Sequence, residues 1–320
     1  MMRQDEMGCR LGMKGLGVRY LWPSEAGHYS QDDYLVDPAE GIAIFAAGSG
    51  VMGQGRPAAK VAAWSLWSEV TRRRRSEGLE AAVNQGFLRA HAAVERLSWR
   101  WPPGLVRPSA SMVALFFAGD GALVAHLGEC RVSLLGQNGL VPLTVAHRVK
   151  DYPADIHLDA TVVHQRPLDL AQIPTRSLGL PPRHSPELIT VEVQCGHRFL
   201  LAGPSLPDVL TNERIAECHD RDDDGAPAAP WTFAQRLISL SHGASPELGA
   251  VAFVVVDALE AAAATVPEPR IFSSDEPPLS WLYHPGVSLP DPPDGLGSKG
   301  PDAAWYETVF RALRLDDEGP

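Results

Sequence analysis

Between Ser111 and Gly136 the chain carries three apolar runs in close succession: SMVALFFA (Ser111 to Ala118), ALVAHLG (Ala122 to Gly128) and CRVSLLG (Cys130 to Gly136). Parallel neighbours need a crossover of a dozen or more residues, and these gaps have room only for tight turns. The spacing therefore predicts an antiparallel meander. Runs of the same kind recur at GIAIFAA (Gly41 to Ala47), LITVEV (Leu188 to Val193), HRFLLAG (His197 to Gly203) and VAFVVVD (Val251 to Asp257). Helix-forming stretches fall in blocks between the strand clusters, at Ala58 to Arg75, Leu79 to Arg100 and Trp231 to His242. Strands in runs with long helices in pairs predict an α+β sandwich, antiparallel sheets covered by helices.

Composition changes near residue 260. Pro267, Pro269, Pro277, Pro278, Pro285, Pro290, Pro292 and Pro293 follow closely, among Gly and Asp, in a stretch that cannot build a packed core. Residues 1–258 are predicted to fold as one domain and 259–320 to form a mostly extended tail. Within the tail, Trp305, Val309, Phe310 and Leu313 share one helical face after Pro301 and Asp302, which predicts a short helix at 303–315. Such a helix packs on its own domain or docks on a partner.

Charge and cysteine usage exclude several classes. Lys and Arg number 28 against 39 Asp and Glu, a net charge of −11, and an acidic surface of this kind repels the phosphate backbone of nucleic acid. Cys9, Cys130, Cys195 and Cys218 are widely separated and form no CxxC pair, so neither a zinc site nor a disulfide scaffold is indicated. No stretch approaches the ~20 apolar residues of a membrane span, and the first thirty residues lack the pattern of a secretion signal. The expectation is a cytoplasmic protein that binds neither membrane nor nucleic acid.

The string GSGVMGQG (Gly48 to Gly55) satisfies GxGxxG through Gly48, Gly50 and Gly53 and stands between a strand and a helix. In a nicotinamide-dependent oxidoreductase such glycines let the backbone approach a pyrophosphate at a helix N-terminus. That reading also requires a second parallel strand with an acidic residue at its end, whereas here the helix runs through TRRRRSE (Thr71 to Glu77) into another helix. The simpler reading is a tight strand-to-helix loop. Arg72 to Arg75 read as a solvated face at a helix end, where cations complement the dipole.

A further set of segments covers more of the chain. SQDDYLV (Ser30 to Val36), IFAAGSGVMGQG (Ile44 to Gly55), SASMVALFF (Ser109 to Phe117), AHLGECRVSLL (Ala125 to Leu135), PLTVAH (Pro142 to His147), TRSLGL (Thr175 to Leu180), GHRFLLAGPSLPDVLTNERIAE (Gly196 to Glu217) and SPELGAVAFVVV (Ser245 to Val256) occur in this order. Together they resemble the successive motifs of PPM-type, type 2C-like metal-dependent serine/threonine protein phosphatases. The resemblance spans residues 25–257. It implies a four-layer α/β/β/α sandwich, and Mg or Mn as cofactor if the chain is active, because that chemistry needs two divalent cations on carboxylates to activate the attacking water.

The departures fall on the ligand positions that the resemblance implies. Gln31 replaces the acid of the first motif while Asp32 stays, and the phosphate-gripping arginine falls on Gly27. The bridging aspartate of the glycine-rich motif falls on Ser49 or, with a slip of one residue, on Gly48, and neither supplies a carboxylate. Glu129 of GECR takes the place of an aspartate that in bacterial members can touch an additional metal. Pro204 of GPS occupies another metal position, and Glu247 with Leu248 replaces the last Asp-Asn pair. The candidate metal residues are thus Asp32, Asp33, Glu129 and Glu247, with Ser49 and Pro204 degenerate.

Read locally, Asp32 and Asp33 form a solvated turn leading into a strand, Glu129 an exposed acid in a hairpin, and Thr175 and Arg176 a loop cap. His126 and His147 lack a paired acid in sequence reach and read as structural. The expected function is that of a catalytically degenerate pseudophosphatase, needing no cofactor, that binds a protein partner such as a phosphoprotein or a protein kinase in phospho-signalling. An active phosphoserine/phosphothreonine phosphatase with a rebuilt metal site is the alternative.

Overall fold

A computed structural model describes residues 11–21, 30–50, 55–99, 107–136, 139–151, 174–219, 228–245 and 250–260. Their elements run in the order β1 (Leu11–Leu21), β2 (Asp32–Asp37), β3 (Ile42–Ser49), α1 (Gly55–Glu77), α2 (Leu79–Trp99), β4 (Ser109–Ala118), β5 (Gly121–Leu127), β6 (Arg131–Gly136) and β7 (Gly139–Pro142). There follow β8 (Glu187–Glu192), β9 (Arg198–Ala202), α3 (Ser205–Val209), α4 (Asn212–Glu217), α5 (Pro230–Ala244) and β10 (Ala250–Glu260). The strands form two five-stranded sheets, β1-β10-β9-β6-β7 and β2-β3-β4-β5-β8, and every pairing between them is antiparallel.

The period-2 rule sorts side chains into layers. On β3, Ile42, Ile44 and Ala46 face α1 and α2, whereas Ala43, Phe45 and Ala47 face the opposing sheet. Ala58, Ala59, Ala62, Ala63, Leu66 and Val70 of α1 and Val83, Phe87, Ala90 and Val94 of α2 recur at helical spacing and close the first outer layer. Phe199, Leu201, Val254 and Val256 meet the inner face of the β2–β8 sheet. Leu206, Ile215, Phe233 and Leu237 of α3 to α5 cover the other outer face with Phe253 and Val255. This is the expected α+β sandwich of two antiparallel sheets flanked by helices.

Two readings of the sequence are corrected here. First, β3 lies antiparallel to both β2 and β4, so its glycine-rich loop does not open a parallel dinucleotide-binding unit and the oxidoreductase reading fails. The described base of that loop is instead a close contact. Gly48 N–H donates to the Gln31 carbonyl (3.1 Å), Gly55 N–H donates to Gln31 Oε1 (2.8 Å), and a Cβ on Gly48 would run into the Gly55 carbonyl. Second, the meander breaks after β5. β4 and β5 are paired, but β6 belongs to the other sheet, so residues 128–130 cross the sandwich rather than turn a hairpin. Gly128 makes the crossing with φ of 101°, and a Cβ there would strike Ser111.

Strands β1 and β7 and helices α3 and α4 have no counterpart among the predicted elements, and β2 begins at Asp32, within the turn expected to lead into a strand. Arg72 to Arg75 close α1 as expected, with Arg72 and Arg75 exposed, and they are also paired: Arg72 and Arg73 bind Glu69, Arg73 also binds Glu77, and Arg74 and Arg75 bind Glu40. The helix expected at 303–315 lies outside the described residues, as does the rest of the chain after Glu260.

Candidate functional site

The strand registers bring one end of the sandwich together. Asp32 at the start of β2 pairs with Ala47, Ser49 at the end of β3 with Ser109, Met112 of β4 with Leu127, and His126 of β5 with Glu187 at the start of β8. In the facing sheet, Arg131 at the start of β6 pairs with Ala202, after which the chain passes Pro204 into α3. The crossing at Gly128, Glu129 and Cys130 joins the two sheets at this end.

Asp32 and Asp33 diverge. Tyr34 and Val36 pack between the sheets, which puts Asp32 on the inner face; burial first, and then the Asp32 charge, push the buried Cys130 thiol up. Asp33 shares the other face with Leu35, which packs beneath α1 and α2, and with Asp37, whose Oδ2 accepts a hydrogen bond from Trp67 Nε1 on α1 (2.9 Å). Asp33 Oδ1 accepts from the Tyr34 amide (3.0 Å). Ser49 is exposed at the end of β3. Pro204 precedes α3 with helical φ and ψ and offers no side-chain cap. Gln31 spends its side-chain oxygen on the first amide of α1. Gly27 and Glu247 lie outside the described residues.

Glu129 is not the exposed hairpin acid expected from its neighbours. Arg148, only 3% exposed, donates from Nε to Glu129 Oε1 (2.8 Å) and forks onto Asp208 of α3 through Nη1 (3.1 Å) and Nη2 (2.8 Å). Burial is the largest influence on Glu129 and holds its carboxyl above the usual range against the pull of Arg148. Asp208 shares that guanidinium, and its own charge pushes Glu129 the same way as burial. Arg131 sits in the same group, pulled down by burial and then by Arg148.

Beside it lies a cluster that the sequence concealed. His126, His147 and Glu187 offer ligand atoms within 4.8 Å of one another, and the two imidazoles stack with centroids 4.3 Å apart. His147 therefore has an acid neighbour after all, brought by the β5–β8 register from forty residues away. The hydrogen bonds fix both tautomers. His126 Nε2 lies 2.9 Å from the Gly128 carbonyl and must carry the proton, leaving its buried Nδ1 an acceptor without a partner among the described residues. Gly128 N–H donates to His147 Nδ1 (2.9 Å), so His147 carries its proton on Nε2, aimed at Glu187 Oε1 (3.1 Å). Arg176 Nη1 also donates to Glu187 Oε1 (2.9 Å).

A metal ligand must present a lone pair where His147 Nε2 holds a proton, and the Arg176 cation faces the same carboxylate. This trio is built as a hydrogen-bonded network, not as a cation site. The positions implied for two hard cations fit no better among the described residues: Ser49 and Pro204 supply no carboxylate, Gln31 caps α1, Glu129 is committed to Arg148, and Asp32 alone faces inward.

No protein-family model matches the sequence, and no curated protein matches it. Solved structures do. The catalytic domain of the serine/threonine protein phosphatase PstP, crystallised with two manganese ions, is 22% identical over 78% of this chain and 99% of its own, with a TM-score of 0.57; a structure of the Mycobacterium tuberculosis PstP/Ppp gives the same values. The S. agalactiae serine/threonine phosphatase is 18% identical over 77% of this chain and 99% of its own, at a TM-score of 0.61. PppA, described as a key regulatory component of T6SS in Pseudomonas aeruginosa, is 16% identical over 78% and 100%, at 0.60. Each likeness covers more than three quarters of this chain and nearly all of the other: the chain has the fold of the PPM-type serine/threonine phosphatases.

Proposed function

We propose that this chain is a regulatory or scaffold protein that uses a PPM-type domain to hold a protein partner, a phosphoprotein or a protein kinase, and does not run metal-dependent hydrolysis. The observation that carries this reading is the chemistry of the end of the sandwich. Two-metal hydrolysis needs several carboxylate oxygens converging on the cations. Among the described residues, Asp32 is the inward acid left at the implied positions once Ser49, Pro204 and the Arg148-bound Glu129 are discounted. What remains is a rigid network of neutral imidazoles and paired charges that suits recognition better than water activation. Regulation is also what PppA, a protein of the same fold, is described as doing.

Recognition of a phosphate by a guanidinium fork is weakened at this end, since Arg148 and Arg176 are both bound to acids. The partner would be engaged chiefly by shape and apolar contact. No helix among the described residues is long and apolar enough to cross a membrane.

The purified protein is expected to release no more p-nitrophenol from p-nitrophenyl phosphate with millimolar Mn than buffer does. Turnover that vanishes in Asp32→Ala would overturn this reading in favour of an active phosphatase with a rebuilt site.

A further inference from the structure

We infer that Arg148 is a built-in cation that holds the site end of this fold together, tying the sheet-to-sheet crossing to α3 without any metal ion. This rests on the reading that the described acids here do not assemble a two-metal centre.

Three segments distant in sequence meet at one guanidinium. Glu129 belongs to the crossing from β5 to β6, Arg148 follows the stretch that returns along the crossing, and Asp208 sits on α3. The backbone on both sides of Arg148 is fixed. His147 N–H donates to the Gly128 carbonyl (2.9 Å), Thr175 N–H to the His147 carbonyl (2.8 Å), and Arg148 bridges to Pro174. Its side chain therefore leaves a pinned backbone with little freedom, and only 4% of it is exposed.

The directional chemistry is that of a planar fork. Nη1 and Nη2 take both oxygens of Asp208 while Nε takes Glu129, so a single delocalised charge satisfies two carboxylates at fixed angles. A lysine, with one compact ammonium, cannot reproduce that division. Without the guanidinium, Glu129 and Asp208 would be left as neighbouring acids, one of them largely shielded from water, and their repulsion would push α3 away from the crossing. Two such carboxylates in the absence of their own cation are oxygen donors for a divalent ion. The rest of the cluster does not take over the role, because Arg131 lies on β6 next to Arg148 and its Nε is buried without a hydrogen-bond partner among the described residues.

Thermal unfolding of the full chain, with EDTA or with millimolar Mn, tests the assignment. The wild type is expected to melt at the same temperature in both. Arg148→Met is expected to melt several degrees lower in EDTA and to regain part of the loss in Mn; Arg148→Met combined with Asp208→Asn should not respond to Mn. Arg148→Lys should fall between wild type and Arg148→Met in both stability and Mn response. An Arg148→Met protein as stable as wild type, or one whose Mn response equals that of its Asp208→Asn double variant, would overturn the assignment. Should Arg148→Met not fold, Arg148→Lys decides alone: a melting temperature unchanged from wild type and indifferent to Mn contradicts it. Phosphatase turnover by the wild type would remove the functional reading and leave this comparison of variants standing.

Discussion

In urea titrations at stepped pH, the protein is expected to lose about 1.4 kcal/mol of stability for each pH unit below about 6.5 on account of His126 alone. Burial, reinforced by the neighbouring His147 and more weakly by Arg176, holds the His126 imidazole down at about 3, against the opposing pull of the Gly128 carbonyl and Glu187. In the unfolded chain the same ring titrates at its ordinary value of 6.5. Above that value it is neutral in both states and costs nothing. Between 6.5 and about 3 the unfolded chain binds a proton that the folded chain refuses, so stability falls with pH; below about 3 the loss is complete, at roughly 5 kcal/mol.

Other groups titrate in the same experiment. His91, pushed down chiefly by burial, acts in the same direction. Burial is the largest influence on Glu69 and pushes it up, but its bonds to Arg73 and Arg72 hold the carboxyl low, which adds to the loss at more acid pH. Glu129, held high, works the other way. All of these remain in His126→Gln, whose amide can still donate to the Gly128 carbonyl. The variant should therefore show a slope shallower by one proton's worth between pH 6 and pH 4, and identical slopes would contradict the buried neutral tautomer.

The second large effect belongs to Arg198. It stands opposite Asp257 in the β9–β10 register and binds it through Nε to Oδ1 (2.5 Å) and Nη2 to Oδ2 (2.8 Å). Its Nη1 donates to the Ala228 carbonyl (2.7 Å), and its guanidinium lies 5.4 Å from the centre of the Phe233 ring on α5. One buried side chain thus fastens α5 and the residues before it to the sheet. Arg198→Met strands the Asp257 carboxylate and the Ala228 carbonyl and should cost about 3–5 kcal/mol, the usual penalty for removing half of a buried pair. Arg198→Met with Asp257→Leu should recover a good part of that loss, since no charge is then left buried alone. By contrast Arg183→Met, which breaks an ion pair with Glu95 from a side chain that is 59% exposed, should change stability by less than about 1 kcal/mol. Equal losses in the two single variants, measured by urea unfolding, would refute this ranking.

The sequence revealed the fold where strands are apolar on both faces. Phe45 and Ile44 point to opposite layers, so β3 reads as a continuous apolar run, and β4, β5 and β10 behave alike. It concealed strands whose residues serve neighbours. β1 carries Gly15 and Gly17, which weaken any strand signal, yet a Cβ at either would collide with Val36 or Tyr34 of β2. β2 opens with two acids, which read as a turn leading into a strand although the strand already includes them.

The site was legible only as substitutions. That Ser49 and Pro204 supply no carboxylate is written in their identities, and Asp32 stands among the candidates with its neighbour Asp33. That the two acids face opposite layers follows from strand alternation, once Asp32 and Asp33 are known to lie within β2. The crossing at Gly128 could not be read, because three residues between apolar runs look the same whether the chain turns back or changes sheet. The partners of His147 and Glu129 are hidden for a related reason: Glu187 reaches His147 through sheet register, and Glu129 meets Arg148, which Asp208 holds from α3, none of them close in sequence.

A chain with this fold and these substitutions is expected not to assemble a two-metal centre, and calorimetric titration of the wild type with Mn is the test. Two carboxylate-poor positions at Ser49 and Pro204 predict no tight binding in the wild type, and a gain of measurable affinity in Ser49→Asp combined with Pro204→Asp. Two tight Mn sites in the wild type, lost in Asp32→Ala, would contradict it.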